Sequence, residues 1–279
     1  MPLTTTFELM RKAEAEKKAI PAFNIDNLES AIAVCEIIRE SGYPVIIQMI
    51  PRTLNYGGIG VYPAMIKELL SDCDTDFAIH LDHGSSLSLA VKCIDKGFTS
   101  VMFDGSTLPF SENIRATKEV TDYALPLGIS VEGELGTIGG KEEGDIDIEE
   151  TYTKVDEAVE FTEKTGVTSL AIGVGTAHGI YKGTPHINVN RIREIHSACD
   201  TPLVLHGASG LSDSVLRECI SAGISKINFA TELRQAFTGS VRNSLENDKD
   251  VFDPKLYMRF AIDEIKKVLA AKIKVCQND

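Results

Sequence analysis

The sequence lacks any apolar run as long as a membrane span, although 43% of its 279 residues are hydrophobic. A helix that crosses a bilayer needs about 20 mostly apolar residues in succession. Residues 1–18, MPLTTTFELMRKAEAEKK, also lack the apolar core of a secretory signal peptide. We therefore expect a protein of the cytoplasm that has no membrane partner.

Positive charge is scarce as well. Lys and Arg number 28 against 41 Asp and Glu, which gives a net charge of −13. No cluster of basic residues interrupts this acidic composition. Such a surface repels polyanions, so nucleic acid is not an expected partner. A small anionic substrate would have to be bound by local groups.

The cysteines form no CxxC pair, and most of them fall within helical patterns of apolar residues. They are Cys35, Cys73, Cys93, Cys199, Cys219 and Cys276. This scatter is not typical of a disulfide framework or a zinc finger, and we expect free, buried thiols in a reducing compartment.

Short apolar runs of the kind that form buried strands recur along the chain, with helix-period stretches between them. The runs are 19–25, 44–50, 76–82, 100–105, 129–135, 169–175, 202–207 and 226–231. This alternation predicts an α/β fold with a parallel sheet, and eight repeats close most simply into a (β/α)₈ TIM barrel. A doubly wound open sheet is the alternative. We expect a single domain over residues 1–279 with a C-terminal helical extension at 253–274.

The longest gap between predicted strands, 135–169, contains GTIGGKEEGDIDIEE. Four glycines and a dense run of acids predict an exposed loop. Two interpretations stay open for it: a solvated insertion, or a lid that carries a catalytic acid or base.

Three histidines at the predicted strand ends are each followed by glycine: His83 in LDHG, His178 in TAHG and His206 in VLHG. Taken singly, each is more readily a structural residue than a ligand. Strand ends meet at one mouth of a barrel, however, so the three imidazoles should converge there. Three protein ligands and an open fourth position are typical of a catalytic zinc ion.

Acidic residues occupy the same predicted rim. Asp82 and Asp104 end two strands, and Glu132 and Glu134 share one face of a third because they are two residues apart. A buried carboxylate is costly unless it binds a cation, forms hydrogen bonds or exchanges protons. We assign functional roles to Asp82 and Glu134, support of a metal ligand to Glu132, and a structural hydrogen-bonding role to His80.

Two segments rich in small residues, GASG at 207–210 and NFAT at 228–231, follow the last two predicted strands. Uncovered backbone N–H groups at a helix start bind phosphate, and these loops often do so in TIM barrels. Plain helix caps are the alternative. Lys182 is either an additional positive group for the anion or a solvated loop lysine.

Five motifs in order, LDHGSS, VEGELGTIGG, GTAHGIYKG, LHGASG and KINFATEL, resemble the class II, metal-dependent ketose-bisphosphate aldolases. HGASGL and KINFATEL are most similar to the tagatose-bisphosphate aldolase branch, with fructose-bisphosphate aldolases close behind. The resemblance implies zinc-dependent, reversible cleavage of tagatose or fructose 1,6-bisphosphate. The products are dihydroxyacetone phosphate and glyceraldehyde 3-phosphate, and the reaction passes through a metal-stabilised enediolate. The resemblance also implies that the protein is a homodimer or a homotetramer.

The resemblance also implies roles for individual acids and histidines. The zinc ligands fall on His83, His178 and His206. Asp104 and Glu134 match carboxylates of an alternative or second metal position.

Two further carboxylates match the groups that move protons. Asp82 matches the residue that handles the proton on the C4 oxygen, and Glu142 matches a loop glutamate that moves a proton at C3 of dihydroxyacetone phosphate. The phosphate-binding set implied by the resemblance is Gly179, Gly207, Ala208, Ser209, Asn228, Phe229, Ala230 and Thr231, with a monovalent cation, Na⁺ or K⁺, nearby. We also expect Asn24 and Lys182 to bind the substrate.

One position departs from the family pattern. Many relatives carry Ser or Thr after the second strand to hold the second phosphate, whereas this chain has Ile50. Isoleucine cannot donate a hydrogen bond to an anion. Either Arg52 compensates, or the aldehyde product carries another acidic group, such as a carboxylate or a sulfonate.

Two other functions stay open at this stage. A metal-free, phosphate-binding barrel enzyme would keep its activity after dialysis against a chelator. A catalytically silent binding or scaffold protein would have no physical reason to retain polar groups at a buried rim.

Overall fold

The computed structural model describes residues 2–136, 152–181, 183 and 185–278. Within them, eight parallel strands form a closed barrel in chain order, in which the last strand pairs with the first. The strands are β1 (Ile20–Asn24), β2 (Val45–Met49), β3 (Phe77–Gly84), β4 (Ser100–Phe103), β5 (Ser130–Leu135), β6 (Ser169–Ile172), β7 (Leu203–Leu205) and β8 (Ile224–Phe229). The predicted TIM barrel is confirmed, and the open-sheet alternative is wrong because β8 pairs with β1.

Helices follow the strands and surround the barrel. They are α1 (Thr6–Ala15), α2 (Leu28–Ser41), α3 (Pro51–Gly57), α4 (Val61–Leu69), α5 (Leu87–Asp95), α6 (Phe110–Ala124), α7 (Val155–Thr165), α8 (Val189–Ala198), α9 (Asp213–Ser221), α10 (Thr231–Asn247) and α11 (Pro254–Cys276). Among the described residues, no helix combines the length and apolar character needed to cross a membrane.

Each strand is buried on both faces, which explains why the strands read as nearly continuous apolar runs. In β3, Ile79 and Leu81 belong to the large apolar cluster that the strands share with the helices. The alternate residues Ala78, His80 and Asp82 face the barrel interior and are buried there. The inward positions therefore decide what chemistry the barrel offers.

Helix α1 closes the N-terminal end of the barrel. Its Leu9 packs with Ile20 and Ile46 in one apolar cluster, and its Met10 packs with Val204 in another. This lower part of the interior is therefore mainly apolar, although Ser100 and Ser130 contact Thr6 and Phe7 of α1 there. The charged inward residues lie above it, towards the carboxyl ends of the strands.

The C-terminal extension is confirmed as helix α11, which packs against α10 and α2. Its apolar side, including Ile265 and Leu269, is buried. On its polar side, Arg259 and Lys266 each lie 2.8 Å from a carboxylate oxygen of Glu36 in α2. The predicted free thiols are also confirmed, because all six cysteines, each in the described part of the chain, are buried and unpaired.

Candidate active site

A bulge at the end of β3 explains how two adjacent residues reach the same site. Neighbouring residues of a regular strand point to opposite faces. Between Leu81 and Gly84 the pairing with β4 shifts by one residue, and His83 has a left-handed φ of 51°. Because of this bulge, Asp82 and His83 both point into the barrel mouth. A left-handed conformation in a residue other than glycine is costly and clusters at functional sites.

The three predicted imidazoles converge at that mouth. The ring centroid of His83 lies 5.0 Å from that of His178 and 4.8 Å from that of His206. One ring nitrogen from each histidine lies within 4.8 Å of the other two. His206 directly follows β7, as expected. His178 lies six residues beyond the last residue of β6, so its predicted place at a strand end is wrong.

Carboxylates fix the orientation of two of these rings. His83 Nδ1 lies 2.8 Å from Asp104 Oδ2, and His206 Nε2 lies 2.9 Å from Glu132 Oε1. A carboxylate only accepts, so each of these nitrogens carries the proton. The opposite nitrogens, His83 Nε2 and His206 Nδ1, face each other at 3.1 Å. This arrangement of carboxylate, histidine and open nitrogen is typical of metal centres.

The protonation states of the two rings differ. Burial holds the pKa of His206 well below its ordinary value, so this ring is neutral. Burial opposes the charged form of His83 too, but the charge of Asp82 and the hydrogen bond to Asp104 outweigh it and raise the pKa of His83 to about 10. Without a metal, His83 therefore donates a proton to His206 across the 3.1 Å contact.

Glu134 places a further oxygen next to the imidazoles. Its Oε2 lies 3.9 Å from His83 Nδ1 and 3.8 Å from His206 Nδ1. This buried oxygen has no hydrogen-bond partner among the described residues. Burial and the nearby negative charge of Asp104 raise the pKa of Glu134 to about 8. Together with His83 and Asp104, Glu134 forms a second group with metal-ligand spacing.

These residues fit a divalent metal ion such as zinc. Two nitrogen ligands of a tetrahedral zinc ion lie about 3.3 Å apart, given bonds of about 2.0–2.1 Å. The observed separation of His83 Nε2 and His206 Nδ1 is 3.1 Å. In the metal-free protein a proton of His83 lies between these two nitrogens, and a divalent cation would take the place of that proton. The unpartnered oxygen of Glu134 supports the same conclusion.

Asp82 is held by amides on both sides. Asn24 Nδ2 donates to Asp82 Oδ2 at 2.7 Å, and Asn228 Nδ2 approaches Oδ1 at 3.3 Å. Gln48 Nε2 in turn donates to Asn24 Oδ1 at 2.8 Å. Burial alone would raise the pKa of Asp82, but the charge of His83 and the hydrogen bond from Asn24 help to hold it below the ordinary value. The result is an ionised, oriented carboxylate next to the imidazole cluster.

The loops after β7 and β8 lie together, as predicted for an anion site. Ser209 Oγ accepts a hydrogen bond from the backbone N–H of Ala230 at 3.3 Å. Helix α10 begins at Thr231, and no side chain caps its start. Helix N-termini with uncovered N–H groups favour anions.

Other residues of the predicted binding set differ in what they offer. Phe229 packs against Phe23 outside the barrel, with 5.9 Å between ring centroids, so only its backbone faces the mouth. Ala208 is buried, and Gly179 has a left-handed φ of 96°. The amide of Asn24 is engaged by Asp82.

Of the remaining predicted residues, one is exposed on a helix and two lie outside the residues that the structure describes. Arg52 is exposed in the first turn of α3, just after Ile50. Glu142 and Lys182 lie outside the described residues.

One residue of the site was missed in the sequence. Lys226 is 0% exposed, and its Nζ lies 2.8 Å from Glu132 Oε2 in the barrel interior. The predicted run started at residue 226, whereas β8 begins at Ile224. The available signal was the lysine inside ISKINF, at the same strand parity as Asn228.

Comparisons with known proteins agree with this geometry. The family model described as fructose-bisphosphate aldolase class-II matches residues 4–279. The solved structure of the YdjI aldolase from Escherichia coli K12 is 33% identical, with a TM-score of 0.87 over 98% of this chain and 97% of that chain.

Two more distant structures share the fold. A putative fructose-1,6-biphosphate aldolase from Coccidioides immitis is 24% identical, with a TM-score of 0.86 over 99% of this chain and 96% of that chain. Fructose-bisphosphate aldolase (Fba) from Campylobacter jejuni is 22% identical, with a TM-score of 0.82 over 98% of this chain and 95% of that chain.

Proposed function

The chain belongs to the class II fructose-bisphosphate aldolase family and is a lyase of that family, and from this premise we propose its substrate and mechanism. The proposed reaction is the reversible cleavage of tagatose or fructose 1,6-bisphosphate to dihydroxyacetone phosphate and glyceraldehyde 3-phosphate. The observation that carries the proposal is the convergence of His83, His178 and His206 beside the buried carboxylate of Asp82.

The metal ligands of the proposal are His83, His178 and His206, with Glu134 as an additional oxygen donor. A divalent ion, zinc in the proposal, supplies Lewis-acid stabilisation of the negative charge that develops when the C3–C4 bond breaks. Asp104 orients His83 through the contact of 2.8 Å, so its own oxygen is committed to that ring. One metal ion per chain fits this arrangement best.

Asp82 is the proposed base for the C4 hydroxyl. Its carboxylate is ionised and lies 3.9 Å from His83 Nε2, next to the metal ligands. It removes the hydroxyl proton as the C3–C4 bond breaks, and returns it in the reverse reaction. Asn24 and Asn228 hold the carboxylate in one orientation, which limits the motion that proton transfer would otherwise require.

Glu142 is the proposed residue for proton transfer at C3. It moves the proton at C3 of the enediolate of dihydroxyacetone phosphate, as the family resemblance implies. The phosphate of this product is bound by backbone N–H groups at Gly179, at 207–209 and at the start of α10. The neighbouring monovalent cation and the role of Lys182 stay predictions.

The identity of the second product is the open part of the proposal. Ile50 precedes α3 and offers no hydrogen bond to a phosphate, whereas the exposed Arg52 offers a positive charge in the same turn. Glyceraldehyde 3-phosphate is therefore the first candidate aldehyde. A carboxylated or sulfonated aldehyde is the second candidate, because Ile50 stands where many relatives carry the Ser or Thr that holds the second phosphate.

An aldol-addition screen tests the proposal. Dihydroxyacetone phosphate is supplied with a panel of phosphorylated, carboxylated and sulfonated aldehydes, and the products are identified with their stereochemistry. We expect addition to a phosphorylated aldehyde, loss of activity on dialysis against a chelator, and recovery with zinc. Activity that survives removal of the metal would contradict the mechanism and favour a metal-free barrel enzyme.

A borohydride experiment tests the alternative aldolase mechanism, in which a lysine forms a Schiff base with the substrate. Lys226 is buried and its ammonium group is paired with Glu132 at 2.8 Å, below His206. We therefore expect no Schiff base, and borohydride added with dihydroxyacetone phosphate should leave the enzyme active. Covalent trapping of Lys226 would overturn the metal mechanism.

We also propose that the chain forms a homodimer or homotetramer. Phe252, Leu256 and Phe260 near the start of α11 are 92%, 60% and 61% exposed, and such an apolar patch favours protein association. Light scattering measures the oligomeric state directly. A location in the cytoplasm stays a prediction.

A further inference from the structure

A buried ion pair lies behind His206 in the barrel interior. Glu132 Oε1 is 2.9 Å from His206 Nε2, and Glu132 Oε2 is 2.8 Å from Lys226 Nζ. All three side chains are 0% exposed. Because solvent does not reach them, water cannot replace a contact that is lost.

Fold stability does not explain this pair well. Replacing a buried ion pair with apolar residues of similar volume is often neutral or stabilising. The level below is in fact mainly apolar, with Ile20, Ile46 and Val204 facing the interior. The presence of this ion pair therefore needs another explanation. Its Glu132 contacts His206, which is a proposed metal ligand.

A competing partner shows why Glu132 needs Lys226. His80 Nε2 lies 3.7 Å from Glu132 Oε2 and has no hydrogen-bond partner in the described part of the chain. Lys226 Nζ is closer, at 2.8 Å, and holds this oxygen. Without the ammonium group, the carboxylate is free to rotate towards His80, and His206 Nε2 then loses its acceptor.

We propose that Lys226 is a positioning residue for His206 and acts on it through Glu132. Lys226 fixes Glu132, which keeps the ring proton on His206 Nε2 and directs the lone pair of Nδ1 towards His83 Nε2, 3.1 Å away. The inference rests on the proposed function in one respect, namely that His206 binds a divalent metal.

Four variants separate positioning from folding. Lys226→Met removes the ammonium group and keeps the length of the aliphatic stem, and Glu132→Gln removes the charge and keeps the shape. The double variant Glu132→Gln with Lys226→Met removes both charges together. Ser130→Ala is the control, because the buried Ser130 Oγ accepts from the backbone N–H of Phe7 at 3.2 Å and has no hydrogen bond to His80 or Glu132 among the described residues.

Three measurements on the full chain apply to each variant. Zinc affinity is measured on metal-free protein by competition with a chromophoric chelator. The tautomer of His206 is read from ¹⁵N chemical shifts, without metal. Thermal unfolding reports whether the variant folds.

The expected results follow from the hydrogen bonds. Lys226→Met and Glu132→Gln should each weaken zinc binding about 10- to 100-fold and shift His206 towards a mixture of tautomers. Ser130→Ala should change neither. The double variant should unfold at about the wild-type temperature and still bind zinc as weakly as Glu132→Gln.

Each contrary outcome overturns the inference. Wild-type zinc affinity and tautomer in Lys226→Met would do so, as would an equal loss in Ser130→Ala, since any disturbance of the interior would then suffice. If Lys226→Met does not fold, Lys226→Leu, which removes the ammonium group with a smaller apolar side chain and keeps Glu132, is judged by the same criterion. If the wild type binds no zinc, the proposed metal mechanism fails. The tautomer of His206 in the metal-free variants would still show whether Lys226 positions that ring.

Discussion

His83 Nδ1 lies 2.8 Å from Asp104 Oδ2, and this contact turns Nε2 of the same ring towards His206. The Asp104 side chain is itself held, because its Oδ1 accepts from the backbone N–H and the hydroxyl of Ser106 at 3.1 and 2.7 Å. Both oxygens are thus engaged by protein groups. Asp104 therefore orients the ring of His83 in this structure, and its expected place at an alternative or second metal position stays a prediction.

Asp104→Ala should weaken zinc binding without changing its stoichiometry. The ring of His83 loses the acceptor that orients it, and removal of such a partner typically costs about 10- to 100-fold in metal affinity. Chelator competition gives the affinity, and elemental analysis at saturating zinc gives the ions per chain. A wild type with two zinc ions, of which the variant keeps one, would instead make Asp104 a direct ligand.

Asp82→Asn should abolish cleavage and leave zinc binding nearly unchanged. The amide cannot take the C4 hydroxyl proton, and loss of a general base costs about 10²- to 10⁴-fold in rate. Dihydroxyacetone phosphate alone should still exchange its C3 proton with D₂O, because that step is assigned to Glu142. Glu142→Gln is the matched control and should lose the exchange. If Asp82→Asn also stops exchange, its assignment to the C4 oxygen is wrong.

The fold could be predicted from the sequence because its signals are local. Each strand of a parallel barrel is buried on both faces, so an apolar run such as PVIIQMI marks it directly. Helix α2 has a similarly local signal, since its helix-period stretch at 28–41 ends at Gly42, which has a left-handed φ of 62°. Helix α1 was not recognised, because nothing local shows that its apolar side closes a barrel end.

The site could be predicted only in part, because contacts across the barrel leave no local signal. The supporting role of Glu132 and the structural role of His80 agree with their hydrogen bonds to His206 and Ser100. The bulge that brings Asp82 and His83 to one face depends on pairing with β4, and was not visible. The partner of Lys226 is 94 residues away in sequence.

Zinc binding should release protons in a pH-dependent amount. In the metal-free protein the pKa of His83 is raised to about 10 and that of Glu134 to about 8, so both groups hold a proton at pH 7. A metal ligand must be deprotonated, so about two protons should leave at pH 7 and about one at pH 9, where Glu134 is already ionised. Zinc affinity should accordingly rise with pH over this range.

Calorimetry in buffers of different ionisation enthalpy measures the number of protons. Glu134→Gln is the matched variant, and it should release about one proton at pH 7 and at pH 9. A wild type that releases none at pH 7 would mean that His83 is already neutral. The interpretation of its contacts with Asp82 and Asp104 would then be wrong.

Gly84→Ala should disrupt the metal site through the backbone. The glycines of the His-Gly pairs differ in how closely other atoms approach them. A Cβ on Gly84 would lie 2.3 Å from the carbonyl oxygen of Met102, whereas on Gly179 it would meet nothing within 4 Å. Gly84 is thus required for the close approach of β3 to β4, and the alanine must push apart the bulge that carries His83.

The measurement compares zinc affinity with stability in two variants. Gly84→Ala should lower both, because His83 moves relative to His206 when the bulge is displaced. Gly42→Ala is the control: its left-handed φ of 62° disfavours alanine, and its Cβ would meet nothing within 4 Å. It lies at the end of α2, so it should lower thermal stability and leave zinc affinity unchanged. Unchanged zinc affinity in Gly84→Ala would show that the bulge does not depend on this close approach.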